Sequence, residues 1–210
     1  MDFVESLTLC ASGSAYTNHR VLGPVSLLPM YRTRKALLAS LLISLTVALG
    51  LALSGVPNVE VMTITVFVSG YLLGWRLGFV VGATSITVHS LINPLGASLP
   101  PLLLSQIVGF SIVGVAGATI GPWVAKLQRR WVALLACGAM GFILTLSYDV
   151  LTNIGAFFSI TGPQASASFV QFVIAGMLFM AMHIVWNTSL FLVVLKPVLT
   201  VITRYRLDLY

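Results

Sequence analysis

The sequence predicts an all-α membrane protein, a bundle of six transmembrane helices with both termini in the cytoplasm. Three observations predict it. The chain is 58% hydrophobic and only 8% charged, whereas a soluble domain carries about 25% charge. Its apolar runs approach the roughly 20 residues a helix needs to cross a bilayer. Finally, its 11 Lys and Arg residues all fall on one side of the six-run pattern. Arg20, Arg32, Arg34 and Lys35 precede the first run, and Arg76 lies between the second and third. Lys126, Arg129 and Arg130 separate the fourth and fifth, and Lys196, Arg204 and Arg206 follow the sixth. Short loops rich in Lys and Arg resist translocation, which places these flanks in the cytoplasm.

Residues 1–30 read as a loose cytoplasmic tail. They begin with Asp2 and Glu5 and lack a basic leader ahead of an apolar core, so they do not resemble a cleaved signal. Met30 followed by Tyr31-Arg32-Thr33-Arg34-Lys35 is a natural start for such a protein, and the preceding stretch also reads as an over-extended frame. The membrane domain then occupies residues 31–210. Cys10 and Cys137 are too far apart to suggest a disulfide framework or a metal-ligand spacing. The net charge of +6 reports the basic flanks, which favour anionic lipid head groups rather than nucleic acid.

Apolar runs between breakers give spans near 36–55, 58–75, 77–94, 101–122, 131–156 and 169–195. The connections on the non-basic side are built from helix breakers: Ser54-Gly55-Val56-Pro57, the stretch from Asn93-Pro94 to Pro100-Pro101, and the segment around Gly162-Pro163. Strict two-residue alternation is absent, which argues against a transmembrane β-barrel. In the first span Ala36, Ser40, Ser44, Ala48 and Ala52 recur every fourth residue and so share one helix face. Small side chains let helices approach closely in lipid. This face therefore docks a helix, either within the bundle or on a separate membrane subunit. Gly114, Gly117 and Gly121, with Ala133, Cys137 and Gly141, read as internal contacts.

Polar residues at membrane depth are costly and mark functional candidates. At about 1.5 Å per residue, Glu60 lies about 24 Å from Arg76, His89 about 20 Å from it and Asn93 about 25 Å. Asp149 lies about 27 Å from Trp131, and His183 about 20 Å from Lys196. In a core about 30 Å thick all five fall in the outer half. His89 with Asn93, Asp149 with Asn153, and His183 with Asn187 are each four apart, so three spans present a paired polar ledge. These residues read either as a pocket opening outward or as a hydrogen-bonded network tying the bundle together. Tyr148, Phe157, Phe158 and Trp186 are available to stack on a flat ligand.

Other chemistry finds little support. No Gly-rich turn ending in Gly-Lys-Ser/Thr is present to cradle phosphates. No two of His89, His183, Glu60 and Asp149 have short-range metal-ligand spacing, so no metal is expected. Gly-x-Ser-x-Gly is absent, and no nucleophile is paired with a base in sequence. Glu60 and Asp149 disfavour an anionic ligand and suit a neutral or cationic one.

The order of motifs resembles the substrate-binding (S) component of energy-coupling factor (ECF) transporters. The matches are the small-residue first span, Pro57-Asn58-Val59-Glu60, and Leu73-Gly74-Trp75-Arg76-Leu77-Gly78. They continue with Asn93-Pro94-Leu95-Gly96, Tyr148-Asp149-Val150-Leu151-Thr152-Asn153 and His183-Ile184-Val185-Trp186-Asn187, covering about residues 34–200. The resemblance implies a six-helix protein of the cytoplasmic membrane that captures a vitamin or related small molecule from outside and performs no chemistry on it. It also implies partners: a transmembrane T component and two cytoplasmic ATPases, with no cofactor on this chain. The family's docking motif matches Ala36, Ser40, Ser44 and Ala48, with Ser in two places where the family has Ala. The alternative is a structural scaffold of the bacterial cell-elongation machinery, similar in size and span count, which has no need of His and Asp ledges. A self-sufficient carrier is disfavoured because no internal repeat is evident.

Overall fold

A computed structural model describes residues 27–56, 58–161 and 168–205. Most of the expected tail and the Gly162 connection lie outside the described residues. The chain divides into two compact units, Met1–Arg34 and Lys35–Tyr210. Of the first, only the start of a helix is described; the second is a helical bundle.

All regular structure among the described residues is helical: α1 (Leu27–Leu53), α2 (Met62–Leu73), α3 (Trp75–Ile92), α4 (Pro100–Lys126), α5 (Arg130–Thr161) and α6 (Phe169–Leu190). A π-helical turn, Phe191–Leu195, joins α6 to α7 (Lys196–Tyr205). Four stretches are long and apolar enough to cross a membrane: Arg32–Leu53, Pro100–Lys126, Arg130–Ile160 and Phe169–Tyr205. The sequence predicts a second span over 58–75, but α2 has only 12 residues. At about 1.5 Å per residue it reaches about 18 Å. The reason lies before it, where Asn58 takes a positive φ of 60° and Val59 N–H donates to the Val56 carbonyl at 3.3 Å. Those turn contacts hold Asn58, Val59 and Glu60 out of the helix.

The break between α2 and α3 is a single residue. Gly74 has φ 88° and ψ 171°, a conformation that only glycine adopts without a Cβ penalty. Its N–H still caps α2 on the Gly70 carbonyl at 2.9 Å, while its own carbonyl accepts from Gly78 N–H at 2.8 Å.

Helix α4 is central, touching α2, α3, α5 and α7. Glycine allows that approach: a Cβ on Gly114 would overlap the Gly78 carbonyl, and one on Gly117 would overlap the Phe67 carbonyl. Backbones in direct contact gain dispersion that lipid cannot supply, which is how helices associate where the hydrophobic effect is absent. Around this crossing lie Phe67, Phe110, Phe191, Leu195 and Leu199, all fully buried. Phe67 and Phe191 meet edge to face at 5.6 Å. As the sequence predicts, Gly114, Gly117, Gly121, Ala133, Cys137 and Gly141 are all buried inside the bundle. The perimeter is apolar, with Leu104, Leu135, Leu178 and Val193 each more than half exposed.

The basic end is tied together by polar contacts. Lys196 Nζ donates to the Val124 and Ala125 carbonyls at 3.1 and 2.7 Å, capping the end of α4 with a cation where its dipole is negative. Tyr71 and Thr203 hydroxyls share a hydrogen bond of 2.8 Å, joining α2 to α7. Pro197 lies two residues beyond the end of the π-helical turn, after Lys196. A wide turn spares the preceding carbonyls the clash that a proline ring makes with residue i−4.

Helix α1 packs on the bundle through Ala39, with Leu42 and Ile43 against Leu73, Val81, Leu72 and Leu77, and through Gly50, which lies against Met62 and His89. The small-residue face points the other way. Ala36, Ser40, Ser44, Ala48 and Ala52 are all exposed, so the stripe makes no packing surface within the bundle.

Candidate ligand-binding site

At the end opposite Lys126 and Lys196, the ends of α1 and α3, the first turns of α4, Tyr148 of α5 and the segment before α2 enclose a cavity of about 250 Å³. Its wall includes Glu60, His89 and Asn93, three of the residues singled out from sequence, together with Asn58, Gln106 and Tyr148. Glu60 reaches it because the chain before α2 is not helical and crosses the mouth of the bundle. His89 and Asn93 reach it from the last turn of α3 and its cap. Asn93 also shapes the turn that follows, its Oδ1 accepting from Leu95 N–H at 2.9 Å, an arrangement that asparagine favours. Gly96, at φ 113°, completes that turn.

Behind the wall runs a hydrogen-bonded chain. His183 on α6 is held by Asp149 of α5 through Nδ1 and Oδ1 at 2.7 Å. Its Nε2 meets Glu60 Oε2 at 3.0 Å. The other Glu60 oxygen accepts from Thr63 Oγ1 at 3.0 Å, and the Glu60 carbonyl accepts from the Trp186 indole N–H at 3.3 Å. Side-chain exposure rises from 8% at Asp149 through 11% at His183 to 20% at Glu60. Glu60 is thus the open end of the chain. Tyr148 packs edge to face on Phe110 at 5.1 Å and on His183 at 6.1 Å, so the aromatic wall rests on the same chain.

The predicted ledge is therefore split. Glu60, His89 and Asn93 line the cavity; Asp149 and His183 stand one layer behind and connect to it through Glu60. Asn153 turns onto its own helix, its Nδ2 donating to the Asp149 carbonyl at 2.7 Å, with Met180 Sδ at 3.9 Å. Asn187 is fully buried one turn further from the cavity. Both its amide atoms, like the buried hydroxyls of Thr145 and Thr188, lack a partner among the described residues. Of the four aromatics expected to stack on a ligand, only Tyr148 lines the cavity. Phe157 packs with Phe158, Phe169 and Phe172 at 5.4 to 5.8 Å at the far ends of α5 and α6.

Ser90, Gln106 and Asn58 were not in the predicted set of site residues. Ser90 Oγ donates to Gln106 Oε1 at 2.8 Å, and the Asn58 Nδ2 is buried without a partner among the described residues. Gln106 is the lone amide in the apolar run of α4, which is a usable signal. Small hydroxyls such as Ser90 are too common on these helices to stand out. No group of three or more His, Cys, Asp or Glu among the described residues is arranged to hold a metal ion.

Chemically the arrangement can bind and orient a small molecule. It presents a carboxylate, an amide donor, an imidazole and an aromatic side chain around a space only slightly below the range usual for small-molecule pockets. Comparison with protein families, with characterised proteins and with solved structures finds no match for this chain.

Proposed function

We propose that the chain is the substrate-capture subunit of an ATP-driven, ECF-type importer for a vitamin or related small molecule. In this reading it spans the cytoplasmic membrane six times with both termini inside, α2 and its non-helical entry forming one short span. It binds its ligand from outside and does no chemistry on it. The observation that carries the reading is the cavity at the end remote from every basic flank, with Glu60, His89 and Asn93 in its wall. The chain from Glu60 to Asp149 is an expensive thing to hold at membrane depth unless the site is used.

The α1 stripe adds support. Ser40 Oγ and Ser44 Oγ bond back to the Ala36 and Ser40 carbonyls at 3.1 and 3.0 Å, so the exposed face is small and internally satisfied. A transmembrane T component, driven by two cytoplasmic ATPases, fits that face by close helix packing. Binding is tested by screening the purified chain in detergent against water-soluble vitamins and their precursors. A ligand at a hundred times its Kd adds about 2.7 kcal/mol of stability, which thermal unfolding detects. A chain that no compound stabilises, yet which co-purifies with cell-elongation proteins, is a scaffold instead.

A further inference from the structure

The hydrogen bonds around His183 set how many protons the cluster must hold, wherever each of them sits. Two bonds run from one imidazole to two carboxylates, Nδ1 to Asp149 and Nε2 to Glu60. Each bond contains one proton, since neither a bare ring nitrogen nor a carboxylate oxygen can donate without one. Stripped of those protons, the imidazolate and the two carboxylates carry three negative charges; two protons leave one. With those two protons and none on the remaining, unpartnered Asp149 Oδ2, the trio carries a net charge of minus one, whether the ring is an imidazolium between two carboxylates or a neutral imidazole beside one carboxylic acid.

That charge has no protein counter-ion at the cavity. No Lys or Arg lines it among the described residues, and Lys126 and Lys196 stand at the other end of the bundle. His89 is the one side chain of the wall able to become cationic, and its ring has no hydrogen-bond partner among the described residues. Glu60 is the most exposed of the three groups and the only one in the wall. It is fixed on both oxygens, by Thr63 and His183, so it meets a ligand already oriented. At about 30 Å³ per water the cavity holds roughly eight waters, the bulk of a one-ring molecule. Tyr148 lines one side, and Asn58 Nδ2 offers a donor that is unpartnered among the described residues.

We infer that the ligand of this cavity is a small, single-ring organic cation whose positive group pairs with Glu60, an inference that rests on the capture function proposed above. A matched set of probes tests it on the purified full-length chain: benzylammonium, benzyl alcohol and benzoate, which share a ring and differ in charge. Isothermal calorimetry and thermal unfolding should give benzylammonium an affinity at least tenfold above benzyl alcohol, with no binding of benzoate. Glu60→Gln should abolish the preference, and Glu60→Asp should retain part of it. The wild-type ranking needs no variant, so a Glu60→Gln chain that fails to fold leaves the test standing. Benzyl alcohol or benzoate binding as tightly as benzylammonium overturns the cationic class while leaving a binding cavity in place. A loss of the benzylammonium preference in His89→Asn, with Glu60→Gln unaffected, overturns the role of Glu60. No binding by any probe, together with no hit among the vitamins, overturns the inference and the capture reading with it.

Discussion

His183 and Glu60 lie 123 positions apart and meet at 3.0 Å, so one hydrogen bond joins the last long helix to the irregular segment before α2. It fastens the cavity wall to the bundle interior. Asp149, on the far side of the same imidazole, is almost fully buried. The ring therefore satisfies two carboxyl groups that have little access to water.

Removing the ring should be costly. His183→Ala leaves Asp149 and Glu60 without their shared partner, and breaking a buried ionic pair by deleting one side costs about 3 to 5 kcal/mol. Thermal unfolding in detergent should show that loss, together with a weakened ligand response. The double variant His183→Leu with Asp149→Leu should recover much of the stability but not the binding. Equal stability of His183→Ala and wild type would mean that the chain is not a structural fastening.

Glycine substitutions should divide by location. Gly117→Ala puts a methyl group against the Phe67 carbonyl where α4 crosses α2, and overpacking of this kind costs about 1 to 3 kcal/mol. Gly55→Ala, with nothing within 4 Å of the added carbon, should change stability by less than about 0.5 kcal/mol. A parallel unfolding series decides it, and similar effects at both sites would remove the close crossing from the account.

Added bulk on the exposed α1 stripe should leave the isolated chain intact. Ser44→Trp meets no packed neighbour in the bundle, so folding and ligand binding of the purified chain should match wild type while uptake by cells is lost. Binding and stability falling together would show that the stripe packs internally.

Membrane orientation is open to labelling. In a chain with Cys10→Ser and Cys137→Ala, an impermeant thiol reagent should modify Gly55→Cys in intact cells. The same reagent should reach Arg130→Cys only after permeabilisation. The reverse pattern would invert the topology and place the cavity on the cytoplasmic side.

Composition, basic asymmetry and breaker spacing made the helical class and the rough place of each long apolar helix readable from the sequence, because each is a local or summed property. Gly114, Gly117 and Cys137 were also legible as interior residues, since small side chains on apolar runs have few other uses. The common depth of Glu60, His89, Asp149 and His183 was legible too, because helical rise turns position into height. Rotation about each helix axis was not. Whether a residue four along faces a neighbour, a cavity or its own carbonyl depends on partners far away in the chain. That is why His89 lines the cavity, Asn153 folds onto α5 and Asn187 is buried beyond the site. The same limit applied to the α1 stripe, whose spacing marks a face without saying where it points; the packing of Ala39 and Gly50 turned that face outward. The link between His183, Asp149 and Glu60 was decided only in three dimensions, because the short α2 and the irregular turn at Asn58 bring Glu60 to the imidazole.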